Sequence, residues 1–401
     1  MSGHVRQRGK KGQWYAVFDV TDPVMGKRKR RWQKLENCKG KREAERACER
    51  LVMQRSEGTY VDPSKTTVAE FLERWIEYMR GQVSPRSHER YAELCRKNLA
   101  PLIGASSLTK LQPTHISQAY AKALVSGRRD GQGGLAARTV THMHRVLREA
   151  LQQALRWQLL ARNPADAVRP PKVERRQMSV LDTDATADMI EAARDTGLLI
   201  PILLGALCGL RRGEIVALRW GSIDLERGQL SVIRSAEQTD AGVREKETKS
   251  GKNRSLALSP TMVEELRQHR LRQAESLLTL GVLLTDDHHV VMREDGLPIQ
   301  PRSLSHAFTK FMRQHPELKR IRFHDLRHSH ATALLKDGTH PKIAQERLGH
   351  SSVSITIDLY SHVLPNMQSE AVNRVDASLK EALNRRRTRW LMGSKLVANA
   401  C

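Results

Sequence analysis

A chain of 401 residues with 68 Lys+Arg against 44 Asp+Glu carries a formal charge of +24, which points to a polyanionic partner such as nucleic acid. That length allows two or three domains with cores of their own, and a hydrophobic content of 39% excludes a disordered basic chain. The apolar run Leu198–Leu207 is too short to span a bilayer, no apolar signal segment follows Met1, and five scattered cysteines without a CxxC pair support neither a disulfide framework nor a zinc ribbon, so a soluble cytoplasmic protein without membrane contact is expected.

The first 65 residues hold 17 Lys/Arg against 8 Asp/Glu, with Lys27, Arg28, Lys29, Arg30 and Arg31 as a continuous basic run. Gln13–Phe18 alternates and is rich in strand formers, Asp22-Pro23 and Gly26 mark a turn, and Arg30–Leu35 can return as a second strand. Lys41–Ser56 follows with helical spacing of Ala44, Ala47, Leu51 and Val52. A small sheet plus a helix predicts a separate basic module over 1–65, with Trp14, Tyr15, Phe18 and Trp32 as its mini-core. Thr67, with Glu70 three residues on, has the form of a capping box ahead of a helix through Met79. Further helical patterns at Ser87–Leu99, Thr114–Ser126 and Ala136–Leu160, separated by Pro and Gly turns, complete a four-helix domain over 66–170. A Pro-rich basic stretch, Asn163 to Pro171, leads into a linker over 171–178. From 179 to 383 helices at Ala185–Thr196 and Leu198–Leu210 precede strands at Leu230–Arg234 and Ser255–Leu258, then helices again. The basic tail 384–401 carries no pattern. The fold class expected is mainly α with small β-sheets, in several domains.

Candidate chemistry is confined to the second half. No GxxxxGK[ST] run occurs, so P-loop ATP chemistry has no support. His324 and His328 stand at i and i+4, as in a zinc helix, but Arg327 shares their face and no Glu follows the first His, so metal binding is not expected. His324 and Arg327, at i and i+3, read better as an oxyanion site, since a guanidinium forks two donors to phosphate and an imidazole shuttles a proton. Cys208-Gly209-Leu210-Arg211-Arg212-Gly213-Glu214 breaks one helix and starts another, placing an Arg at a helix start where backbone N–H groups also bind phosphate. Lys249 lies in the turn Thr248-Lys249-Ser250-Gly251-Lys252, suited to reaching a ligand. Leu348-Gly349-His350 ends a helix, and ten residues later comes Tyr360. The chain has six tyrosines, and the other five lie at or before Tyr120, so a tyrosine nucleophile in this half can only be Tyr360. Taken alone, each of these residues also fits an ordinary packing or surface role.

Arg211, Lys249, His324, Arg327, His350 and Tyr360, in that order within GLRRGE, TKSGK, HDLRHSHAT, LGHSSVSIT and DLYSHV, resemble the tyrosine recombinase (phage integrase) family. The resemblance is strongest over 180–375. It extends more loosely to a helical core-binding domain over Thr66–Lys172 and to an arm-type DNA-binding module, as in phage and conjugative-transposon integrases, over 1–65. It implies a site-specific DNA recombinase that integrates or excises a mobile element, acting in the cytoplasm on the nucleoid. Metal and nucleotide cofactors are absent from that chemistry. Arg211 and Arg327 clamp the non-bridging oxygens, Tyr360 attacks phosphorus to form a 3′-phosphotyrosine, and Lys249 protonates the leaving 5′-oxygen. His324 assists as base, His350 hydrogen-bonds the phosphate, and Glu214 orients Arg211 from behind. Arg211 is chosen over Arg212 because it directly follows Gly-Leu, with Glu214 three residues on. The implied partners are duplex DNA with core-type and arm-type sites, three further copies in a homotetramer, a DNA-bending host factor and an excision factor. A C-terminal helix, Pro365 to Leu383, is the candidate contact between copies. Two rivals are a type IB topoisomerase-like relaxing enzyme and a non-catalytic DNA-binding relative. The first lacks a use for the basic module, and the second is expected to carry a broken catalytic set.

Overall fold

The structure, a computed structural model, describes residues 3–8, 12–21, 28–36, 38, 40–56, 65–174, 179–247, 253–354, 357, 372–373 and 375–386. At 20, 21, 28, 29, 31, 54–56 and 247 the backbone alone is described. The chain divides into two units, Met1–Arg175 and Arg176–Cys401.

In the first unit, β1 (Gly3–Arg8), β2 (Gln13–Thr21) and β3 (Arg28–Lys34) form an antiparallel sheet with β2 in the centre. Alternation along β2 turns Ala16 and Phe18 inward, where Leu35 and the stripe Ala44 and Cys48 of α1 (Lys41–Ser56) cover them. Strand β1 was not expected from the sequence. Its residues, GHVRQR, are polar and mostly exposed, and it exists because its backbone pairs with the apolar β2, Val5 opposite Ala16. Within the basic run, Arg30 pairs with Asp19 across the sheet and extends to the carboxylate at 3.5 Å, while Lys27 lies outside the described residues.

A second core in the same unit is built by α2 (Val68–Met79), α3 (Pro85–Leu94), α4 (Ala100–Ile103), α5 (Pro113–Ser126) and α6 (Ala137–Arg156). Thr67 Oγ1 accepts from Glu70 N at 3.2 Å and Glu70 Oε2 accepts from Thr67 N at 2.9 Å, the reciprocal cap that the sequence spacing predicts. The helix expected at Ser87–Leu99 starts earlier, at Pro85, because the Ser84 hydroxyl caps it, and its last turn opens into a π-turn at Cys95–Leu99. Phe71, Trp75, Leu99, Ile116, Met143 and Leu147 are fully buried here, and Trp75 stacks on Tyr91 at 5.5 Å. Asn163 Oδ1 accepts from Ala165 N and curls Pro164–Ala167 into a 3-10 turn, so this part of the Pro-rich stretch is not extended.

The second unit starts with α7 (Thr183–Ala192), capped by Asp182, and α8 (Leu199–Ala206), in which every residue is buried. A short α9 (Arg212–Val216) precedes β4 (Ile223–Asp224), β5 (Gln229–Val232), β6 (Arg234–Thr239), β7 (Gly242–Glu247) and β8 (Arg254–Ala257). Strands β4, β5 and β8 form one antiparallel sheet, and β6 and β7 form a separate ribbon. The ribbon was missed in the sequence because RSAEQT and GVREKE carry too few apolar residues to show a strand pattern. Helices α10 (Pro260–Thr279), α11 (Pro301–Gln314), α12 (Phe323–Lys336) and α13 (Pro341–Leu348) complete the unit. One core joins α8, α11, α12 and the β5–β8 sheet. Gly205 of α8 lies so close to α12 that an added Cβ would stand 3.2 Å from Leu326. Residues 375–386 are helical, with Val375 and Leu379 exposed, while 365–371 fall outside the described residues.

Candidate active site

Two chain breaks and one helix bring the site together. Three residues past the end of α8, Gly209, at φ +64°, takes the left-handed turn that an L side chain resists. Helix α13 ends likewise in Gly349, at φ +63°. Helix α12 presents His324, Arg327, His328 and His330 within two turns, and its Asp325 is fixed by the Arg322 guanidinium at 2.8 Å and the Arg322 N–H at 2.8 Å.

Arg327, 3% exposed, ties both breaks to α12. Its Nη1 donates to Gly209 O at 2.6 Å and its Nη2 donates to Leu348 O. A cation buried to this degree is stable only when its donors are satisfied, and here main-chain carbonyls of both turns accept them. Arg347 adds a second tie, donating to Ala257 O, Leu207 O and His330 Nε2 at 3.0, 3.1 and 3.0 Å.

Arg211 stands at the start of α9, with 40% of its side chain exposed, and its guanidinium is held on one side. Its Nη1 donates to Glu214 Oε1 at 2.8 Å and its Nη2 donates to Gly349 O at 2.7 Å. Glu214 also takes the Arg211 backbone N–H, at 2.8 Å, so the N–H expected to bind phosphate at this helix start is occupied by the chain itself. Glu214 is 3% exposed, and the Arg254 guanidinium binds it through two hydrogen bonds, 3.0 and 2.7 Å. Burial alone would raise the Glu214 carboxyl; the hydrogen bonds and charge of Arg254, helped by Arg211, outweigh it and hold the pKa at about 2. Arg212, by contrast, turns to α11 and donates to Ser305 Oγ at 2.5 Å.

The imidazoles lie within this cationic field. His324 and His328 make an edge-to-face pair with ring centres 4.9 Å apart. His324 reaches solvent, yet the crowding around its ring, with the charges of His328, Arg327 and Arg211, lowers its pKa from 6.5 to about 4. Burial, with the charges of Arg327, Arg211, His328 and Arg254, brings His350 to about 4 as well. His330 also sits at about 4, from burial and then from Arg347, whose Nε–H it accepts. Neutral imidazoles beside two guanidiniums form a site that attracts an anion and has proton acceptors in place.

Of the residues singled out in the sequence, the structure brings Arg211, Glu214, His324, Arg327 and His350 into one cluster. Lys249 and Tyr360 lie outside the described residues. Sequence reasoning missed Arg254 and Arg347. Neither carries a motif of its own, and only contacts across 40 and 93 residues of chain reveal them. Among the described residues, no group of three or more His, Cys, Asp or Glu is placed to hold a metal ion, and no helix is long and apolar enough to cross a membrane.

Comparison with known proteins gives a consistent result. The model of the phage integrase family matches residues 177–367, and that of the phage integrase N-terminal SAM-like domain matches 67–124. A tyrosine recombinase XerC-like protein of Caldanaerobacter subterraneus subsp. tengcongensis is 26% identical over 360 residues, covering 84% of this chain and 90% of that protein. The ICEBs1 integrase of Bacillus subtilis is 27% identical over 296 residues, covering 73% and 78%. Among solved structures, the Tn1549 transposon integrase in complex with a circular intermediate DNA matches with a TM-score of 0.65 at 17% identity, over 77% of this chain and 100% of that one. A lambda integrase tetramer bound to a Holliday junction matches at 0.57 and 18% identity, over 89% and 94%.

Proposed function

We propose, for a chain that belongs to the phage integrase family and is an enzyme cleaving and rejoining DNA in site-specific recombination, a specific division of work among its residues. The observation that supports it is the Arg211 guanidinium, braced from behind by Glu214 and the Gly349 carbonyl and open in front. Two of its five N–H donors are engaged among the described residues, which leaves the rest for the non-bridging oxygens of a scissile phosphate. Arg327 supplies the second positive charge, and together they stabilise the charge that grows on those oxygens in the transition state. Tyr360 attacks phosphorus, the P–O5′ bond breaks, and a 3′-phosphotyrosine forms. His324, neutral and beside Arg327, takes the tyrosine proton. Lys249 gives a proton to the departing 5′-oxygen, and His350 hydrogen-bonds the phosphate. Because the phosphotyrosine conserves the energy of the phosphodiester, a 5′-hydroxyl from a partner duplex reseals the strand without a nucleotide cofactor.

The partner is duplex DNA, and four copies assemble for strand exchange, as in the lambda integrase tetramer on a Holliday junction. The basic module over 1–65 reads arm-type sites, the helices over 66–170 grip the core site together with the catalytic part over 179–383, and a DNA-bending host factor and an excision factor set direction. The protein acts in the bacterial cytoplasm, on the nucleoid. Mapping the covalent junction on a nicked suicide duplex tests the nucleophile. Tyr360→Phe is expected to bind DNA as the wild type does and to trap none. Covalent trapping by that variant overturns the assignment.

A further inference from the structure

Arg254 opens β8 and carries no motif, yet all three of its guanidinium nitrogens are engaged by the site. Its side chain is 11% exposed, and its two terminal nitrogens grip both Glu214 oxygens, at 3.0 and 2.7 Å. Its Nε donates to Arg347 O at 3.0 Å, one turn-residue short of the Leu348 carbonyl that Arg327 holds. Gly349 closes over it: a Cβ at Gly349 would stand 2.9 Å from Arg254 Nη1, and the Gly349 carbonyl is the second acceptor for Arg211. Arg254 thus touches both groups that hold Arg211, the Glu214 carboxylate directly and the Gly349 turn through its neighbours.

An arginine in this place has a definite consequence for Arg211. A carboxylate with two oxygens can rotate about its last side-chain bond, and each rotation would move the Arg211 guanidinium. A bidentate fork removes that freedom, since both oxygens are then fixed in the plane of the Arg254 guanidinium. Glu214 Oε1 receives Arg211 Nη1 at 2.8 Å in that fixed plane, so the open edge of Arg211 keeps one direction before any phosphate arrives. A lysine in place of Arg254 would keep the charge and lose the plane.

We propose that Arg254 is a positioning residue for phosphate activation: its bidentate bond to Glu214 and its bond to the α13 end aim the Arg211 guanidinium at the scissile phosphate. The inference rests on the reading of Arg211 as a phosphate clamp. It adds to that reading a residue that never touches the DNA oxygens.

The test compares two substrates with the full-length protein. One is a nicked suicide duplex spanning the junction of the element that the chain recombines. The other is the same duplex with a methylphosphonate at the scissile position, where a neutral methyl replaces one charged oxygen and reduces the demand for a clamp. Arg254→Gln is expected to form covalent adduct on the ordinary phosphate about 10–100-fold more slowly, the usual cost of losing a partner that orients a reacting group, with DNA affinity unchanged. On the methylphosphonate it should run within a few-fold of the wild type, as should Arg211→Ala. Equal slowing of Arg254→Gln on both substrates, with Arg211→Ala relieved on the methylphosphonate, overturns the positioning role and leaves Arg254 structural. Failure of Arg211→Ala itself to be relieved overturns the clamp reading instead. If Arg254→Gln does not yield folded, DNA-binding protein, Arg254→Lys carries the same comparison, since it keeps the buried charge and loses only the fork. Wild-type rates for Arg254→Lys on both substrates also overturn the proposal.

Discussion

Arg211 and Arg212 are chemically identical neighbours with opposite surroundings, and the proposed clamp role of Arg211 rests on that difference. Arg211 is braced by Glu214 and Gly349 O, whereas Arg212 is directed to Ser305 on α11. Arg211→Ala should slow single-turnover cleavage by about 10²–10³, the scale of removing an oxyanion donor, and Arg212→Ala should slow it far less. Equal losses would place the clamp elsewhere. Lys249→Ala is expected to cleave a 5′-bridging phosphorothiolate much better than ordinary DNA, because a thiolate leaves without a proton. Equal impairment on both substrates would reduce Lys249 to a binding residue. The imidazoles give a pH signature in the absence of DNA. His330 and His350 are held at about 4 in the fold, against 6.5 for an unperturbed histidine, first by burial and then by neighbouring cationic side chains. Between those values the unfolded chain binds more protons than the folded one, so stability rises with pH through that window and is lost as pH falls from 6.5 towards 4. Thermal unfolding followed from pH 7 to pH 4.5 should show the loss. His330→Gln should remove its share of that loss, since an amide oxygen accepts the Arg347 Nε–H at every pH.

At the scale of elements, the site depends on where helices stop. Gly209, three residues past α8, and Gly349, at the end of α13, take left-handed turns, and an added Cβ would meet a side chain at each: His330 at 2.7 Å for Gly209 and Arg254 at 2.9 Å for Gly349. Gly349→Ala adds backbone strain to a collision and should lower unfolding stability by about 1–3 kcal/mol. It should also depress covalent-adduct formation, because Arg211 loses its aligned carbonyl. Denaturant unfolding together with a suicide-substrate assay measures both, and a variant with wild-type stability would show that the α13 end is free to adjust. Element boundaries follow the same local logic elsewhere. Thr67 and Glu70 fix the start of α2, and Ser84 with Pro85 fixes the start of α3.

For the molecule as a whole, the net charge of +24 points to a polyanionic partner, and the first unit holds two separate hydrophobic cores. The three-stranded module and the helices of α2–α6 have separate sets of buried residues. A protein beginning near Lys65 should therefore keep core-site binding and covalent cleavage, while losing efficient integration on a long attachment site with flanking arm sequences. Full recombination by the shortened protein would make the module a solvated basic surface. Cleavage is also expected to proceed in excess EDTA and without nucleotide. Inhibition by the chelator would return attention to His324 and His328 as ligands.

The class of chemistry is legible in the unfolded chain, because arginine, histidine and tyrosine motifs keep their order and spacing along it and need no folding to be seen. So are the apolar helices: α2 and α6 carry their core stripes in the residues themselves, and α8 is apolar throughout. Strands β1, β6 and β7 were illegible, since polar strands are stabilised by backbone pairing with partners that local periodicity does not contain. Where each guanidinium goes is legible only once the chain is folded. Arg327 is drawn inside by the Gly209 and Leu348 carbonyls, Arg212 is turned away, and Arg254, silent in the sequence, grips Glu214 across 40 residues of chain. The physical reason is common to all three. A guanidinium's placement is set by which acceptors meet its five donors, and those acceptors, main-chain carbonyls, the Ser305 hydroxyl and one buried carboxylate, come together only when distant segments pack.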